Sequence, residues 1–261
     1  PIQRNYLIDE HIKLANELGF KGSVHIQVGA SDGLEEAQWI NSVVNKNQSW
    51  PMVQVAFCNL SSDQREVHLD ELQKLSSVVG IRQIIGRSPA EDANSKTNEL
   101  LTSDNFMQGL QSISDRGLTF DLQIIPELLK TCASVFSQFP NLHVILCHAG
   151  SPYNRTLEGI KSWASDLNHL SKLSNVSCKL SGLGMFDHNW TQSTVAPIVT
   201  TVIDQFGSKR VMFGSNFPVD SLSSSFEQLF ARLSSNVDEK DFEDVFSKTA
   251  QRIYFSNFSA F

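Results

Sequence analysis

Seven short apolar runs rich in β-branched residues, each trailed by a longer amphipathic stretch, constrain this chain more than any other feature. The runs cover residues 24–28, 52–58, 79–85, 118–125, 142–147, 176–180 and 210–214. Helical periodicity marks residues 35–46, 63–77, 104–116, 127–138, 158–173, 194–206, 225–234 and 239–249. Asp104 opens a periodic run, Pro126 stands at a first-turn position, and Gly117 and Gly207 fall just past helix ends. Apolar strands with no inside/outside alternation, separated by helices, require a parallel sheet covered on both faces.

No Gly/Ser-rich linker divides the 261 residues, so residues 1–261 read as one α/β domain. Repeated βα units of this length predict a (β/α)8 TIM barrel. A doubly wound sheet is the alternative, but no GxGxxG turn follows the first run. The chain opens with a helical pattern over residues 5–18, so the first strand of an eight-stranded barrel is expected upstream of Pro1. Residues 88–102 read as an extended loop between a strand and a helix.

A formal net charge of -7 argues against nucleic acid as a partner, which would call for a basic face. No apolar run approaches the roughly 18 residues that span a membrane. Cys58, Cys132, Cys147 and Cys178 form no CxxC pair and read as buried, reduced thiols in a cytoplasmic protein. The expected partner is a small-molecule substrate, with room left for a homo-oligomer.

Barrel chemistry sits where strands end. Read in that way, the strand exits carry Arg82 and Arg87, Asp121 and Gln123, His148, Lys179 and Ser181, and Ser215 and Asn216. Arginine offers a planar fork of donors for carboxylate or phosphate, so Arg82 reads either as substrate capture or as a structural ion pair. His148 has three readings: metal ligand, donor to a carbonyl oxygen, or anchor of its own loop. Lys179 pairs with a carboxylate or polarises a substrate. His25 reads as a hydrogen-bonded barrel residue. No GxxxxGK[ST] occurs, which argues against P-loop chemistry.

Seven segments, in order, resemble the amidohydrolase superfamily and, more narrowly, its amidohydrolase-2 group of TIM-barrel hydrolases, which includes sugar-lactone and pyrone-dicarboxylate lactonases. They are VHIQV with EAQW, GIRQIIGR, GLTFDLQ, CHAGSP, CKLSGL, RVMFGSNFP and TAQRIY. The resemblance implies a hydrolase that opens a lactone or similar cyclic ester of an acidic or sugar-derived compound. A decarboxylase of an aromatic or muconate-type acid and a non-catalytic ligand-binding barrel are the alternatives. By position, His148 matches a later-strand histidine that polarises the carbonyl or binds one divalent metal ion, zinc or similar. Some members are thought to work without a tightly bound metal. Arg82 and Arg87 match substrate-anion arginines, and Gln123 and Lys179 fall at substrate-facing positions. Two departures stand out. The HxH pair of the family's first strand is not in this sequence, and Asn216 occupies the place of the family's last-strand aspartate. An amide orients water but cannot take up a proton as a carboxylate does, which turns attention to Asp220 or Asp32 as a base.

Overall fold

The structure is a computed structural model that describes residues 2–256. Helix α1 (Ile8–Glu17) leads into strand β1 (Ser23–Ile26), and α2 (Gly33–Lys46), β2 (Met52–Phe57), α3 (Arg65–Gln73) and β3 (Val78–Ile84) follow. Next come α4 (Pro89–Ser95), α5 (Asp104–Asp115), β4 (Thr119–Gln123), α6 (Leu129–Phe136) and β5 (Val144–Leu146). The remainder is α7 (Leu157–Ser171), β6 (Val176–Leu180), α8 (Gln192–Phe206), β7 (Val211–Phe213), α9 (Phe226–Ser234), α10 (Glu239–Glu243) and α11 (Thr249–Tyr254). All seven predicted strands form, and they pair in parallel in sequence order, β1 through β7, as a curled α/β barrel wall.

Residues 88–102 depart from expectation. Instead of an extended loop they hold α4 and a 3₁₀ turn, Thr97–Thr102. The local chemistry explains it: Ser88 and Glu91 form a capping box ahead of the helix, and the Asp92 carboxylate accepts from the Asn98 backbone N–H at 3.0 Å.

Alternation along the strands separates two cores. Ile81, Phe120, Leu122, Val144, Leu146, Val176, Cys178, Leu180 and Val211 point outward, where the helices cover them in the main cluster. Their neighbours Val53, Val55, Ile145 and Met212 point inward and cluster with Tyr254 and Phe255, which α11 carries beneath the barrel. Beyond β1, whose residues are only partly buried, the strands are covered on both sides, which is why the runs lack a polar face. Between β1 and β7, Phe20 stacks on Phe213 with ring centroids 5.4 Å apart, and Phe226 and Phe230 meet Phe20 edge-on. That aromatic seam ties the segment after α1 to the last strand.

The four cysteines are buried and unpaired as thiols, as composition suggested. Among the described residues no helix is long and apolar enough to cross a membrane.

Candidate active site

Arg82, Asp121, Gln123, Lys179 and Ser181 project inward from β3, β4 and β6 or their ends, and His148 joins them from the turn after β5. Arg82 donates through Nη1 to the Gln27 carbonyl at 2.7 Å and through Nη2 to Gln123 Oε1. Its charge meets no carboxylate within ion-pair distance among the described residues, and its Nε is buried with no acceptor. The guanidinium is half-buried and its hydrogen bonds go to neutral groups only. The ion-pair alternative for Arg82 is not what the structure forms.

Lys179 does form such a pair. Its Nζ bonds to Asp121 Oδ2, Tyr254 donates to Asp121 Oδ1 at 2.8 Å, and the Lys179 ammonium lies 5.1 Å from the Tyr254 ring centroid. Asp121 is completely buried, so Lys179 and Tyr254 together offset the cost of its charge. Lys179 thus touches Asp121 rather than the open mouth.

His148 is buried, and its Nδ1 lies 2.9 Å from Ser181 Oγ. Burial, with help from the charges of Arg82 and Lys179, pushes its pKa down to about 3. The ring is therefore neutral throughout the physiological range. When Ser181 donates to Nδ1, the proton sits on Nε2, which becomes a donor suited to a carbonyl oxygen gaining negative charge. Space for the ring depends on Gly182: a Cβ there would lie 2.5 Å from Nδ1.

The backbone that presents His148 is strained. His148, Ala149 and Ser151 have φ of 55°, 52° and 57°, and Gly150 between them has 70°. Such a left-handed turn costs non-glycine residues about 1–2 kcal/mol each. It is pinned by the Ser151 N–H donating to the His148 carbonyl at 2.8 Å and by Trp163 Nε1 donating to the Ala149 carbonyl at 2.8 Å. Strain of this kind collects where a side chain must be held in one direction.

At the end of β7, Asn216 also adopts a left-handed conformation, φ 52°, and donates through Nδ2 to Asp220 Oδ1 at 3.0 Å. Asp220 is buried and its second oxygen has no hydrogen-bond partner. Burial raises its pKa to about 6, against the opposing pull of Asn216, the Gly182 backbone and His188. The amide that replaces a carboxylate at position 216 therefore buttresses a carboxylate four residues later.

Arg87 stands apart. Its backbone N–H donates to Asn98 Oδ1 at 2.9 Å, and its charge helps hold Glu91 low, after the two hydrogen bonds from Ser88. No hydrogen bond or ion pair links it to Arg82 or His148 among the described residues. His25 faces outward to Glu36 on α2, with Nε2 3.1 Å from Oε1, the structural role expected of it. Asp32 caps α2 by accepting from the N–H groups of Leu34 and Glu35 at 2.8 and 3.0 Å, which occupies it as a helix cap rather than a base. Cys147 lies 3.9 Å from Asp121, but burial raises its thiol pKa and removes it as a nucleophile.

Among the described residues no three His, Cys, Asp or Glu side chains converge as a metal site. The charges felt most by His148 are the cations Arg82 and Lys179, which repel a divalent ion. The donors present here do not by themselves fit a metal.

Two participants escaped the sequence reading. Tyr254 looks like any core aromatic near the C-terminus, and nothing in its spacing signals that it reaches a strand-borne aspartate. Ser181 was visible as a strand-end hydroxyl, but its bond to His148 was not.

An inward-facing polar cluster at the exits of parallel barrel strands defines a TIM-barrel enzyme-type scaffold, and comparison with known proteins gives it a family. The family model described as "Amidohydrolase" matches residues 7–255, and the chain belongs to that family. The y4mH protein of Sinorhizobium fredii is 30% identical over 88% of this chain and 77% of its own length. An L-fucono-1,5-lactonase of Burkholderia ambifaria is 31% identical, over 42% of this chain and only 38% of the lactonase. A crystal structure of an amidohydrolase from Burkholderia multivorans with bound zinc superposes with a TM-score of 0.86, covering 97% of this chain and 89% of that one. At 20% identity it establishes the fold alone.

Proposed function

We propose that this amidohydrolase opens a lactone, or a similar cyclic ester, of an acidic or sugar-derived small molecule. The observation that carries the reading is the pairing of an unneutralised Arg82 with a buried, neutral His148 at one strand-exit mouth. Arg82, steadied by Gln123, holds the carboxylate or hydroxyl-rich end of the substrate. His148 donates to the ring carbonyl as it becomes an oxyanion, and the strained turn keeps the imidazole aimed. Asp220 has the pKa of a base suited to activating water near neutral pH, and Asn216 orients it. Partial similarity to an L-fucono-1,5-lactonase supports a sugar-acid lactone as the first substrate to try.

The test is proton release on a panel of aldono-1,5-lactones, led by L-fucono-1,5-lactone, together with 2-pyrone-4,6-dicarboxylate. Turnover should fall at least about a hundredfold in His148→Ala, the scale for losing an oxyanion donor. An Arg82→Met change should act mainly on KM. Near-normal turnover in His148→Ala sinks the assignment, and carbon dioxide release without ring opening transfers the protein to decarboxylation. Asn216, in place of a proton-accepting carboxylate, favours a second reading, a barrel that binds such acids without turning them over. Calorimetric binding with no product after prolonged incubation would select it.

A further inference from the structure

A second cavity, of about 490 Å³, opens at the opposite end of the barrel, under the starts of β4, β6 and β7. Thr119, His143, Ser177, Lys209, Arg210 and Arg252 line it, and none of its lining residues among those described is acidic. In a chain with a net charge of -7, three cations around one hollow with no acidic residue in its described lining are a local reversal of the molecule's charge.

None of the three is neutralised by an ion pair among the described residues. Arg210 donates to the backbone carbonyls of Phe206, Leu173, Val176 and Ser171, which satisfies its N–H groups but not its charge. Arg252 donates to the Lys209 carbonyl and, at 3.3 Å, to Thr249 Oγ1. The Lys209 ammonium has no partner among the described residues and is exposed, free to fold over the opening. His143 lies with a ring nitrogen 3.1 Å from Ser177 Oγ and adds a hydrogen-bonding group, its pKa lowered by burial and then by Arg252. Thr119 and Ser177 stand two residues before Asp121 and Lys179 on the same inward faces. The buried ion pair therefore lies further along the same strands, toward the mouth.

We propose that this basal cavity binds a small phosphate-bearing molecule. Fixed guanidinium charge from Arg210 and Arg252, a mobile ammonium from Lys209 and hydroxyl groups from Thr119 and Ser177 surround a volume larger than a phosphate ion needs. The remainder of the volume takes the organic part of the ligand.

Inorganic pyrophosphate, titrated calorimetrically into the full chain, is the probe. One site per chain is expected. Lys209→Glu, a change at an exposed side chain with no hydrogen bond to lose, should weaken it about tenfold or more, and Arg82→Met should leave it unchanged. Citrate should bind more weakly than pyrophosphate if phosphate geometry is what the cavity reads. Loss of binding in Arg82→Met but not in Lys209→Glu would place the anion at the mouth and overturn the proposal. Failure of pyrophosphate to bind at about 10 mM at low salt, or citrate binding at least as tightly, would overturn it as well. Because Lys209 lies outside the catalytic mouth, these results stand whatever becomes of the lactonase reading.

Discussion

The inner wall of this barrel has two unlike halves. On β1, β2 and β7 it is aliphatic, with Val24, Ile26, Val53, Val55 and Met212 packed on Tyr254 and Phe255. On β3, β4 and β6 it is charged, with Arg82, Asp121 and Lys179 facing the same interior. Burial also sets the protonation of the residues at the mouth. It keeps His148 neutral and raises Asp220, because desolvation disfavours the ionised form in both cases. Stability is built in one half and spent in the other.

The largest test of this division is Asp121→Asn. It strands the Lys179 ammonium in a site closed to water, and the expected loss is about 3–5 kcal/mol, read as the midpoint of urea unfolding. Replacing both partners, Asp121→Leu with Lys179→Met, should recover much of that loss while leaving lactone turnover impaired. Recovery of neither would mean that the pair is not the unit described here.

Met212→Ala probes the other half. A cavity among aliphatic side chains should cost about 2–5 kcal/mol, with the pH profile of any activity unmoved. A shifted profile would show that the two halves are not separable.

The pH dependence of stability distinguishes them more finely. Asp220 has a folded pKa of about 6, raised above its ordinary value, so the folded state holds its proton longer. Its contribution is greatest below about pH 4 and is lost as pH rises to 6. His148 has the opposite sign. Its folded pKa is depressed to about 3, so its contribution is full above about pH 6.5 and is lost as pH falls. Asp220→Asn should therefore leave a curve that climbs more steeply from pH 4 to 6 than in the parent chain. An unchanged slope over that window would count against a raised Asp220.

The smallest expected effect is at the turn itself. Ser151→Gly relieves one left-handed residue and should raise the thermal midpoint by about a degree or two, consistent with about 0.4–1 kcal/mol at a glycine-compatible site. If the midpoint falls instead, the turn is not strained at that position.

Much of this architecture was legible in the residues. β-branched apolar runs can be buried on both faces only as parallel strands under helices, so all seven strands and the barrel followed from pattern. Polar residues inside or just past those runs marked Arg82, Gln123, His148, Lys179 and Asn216 before any coordinates. Residues 88–102 misled because a polar stretch without apolar periodicity gives little helical signal, and the capping chemistry of Ser88 and Glu91 decided the matter locally.

What the chain dictates by itself is local: where strands run, which helices are capped, and which polar side chains stand at strand ends, since period and capping act within a few residues. Tertiary structure alone decided partnership. Arg82 stands opposite Asp121 in the β3–β4 register yet donates to Gln27 and Gln123, while Lys179 takes Asp121 from across β5, 58 residues away. Tyr254 reaches that same aspartate across 133 residues because the closing helix packs its end against the inner wall. Low dielectric is likewise a property of the assembled wall, and it sets the protonation of His148 and Asp220, which no reading of neighbouring residues supplies.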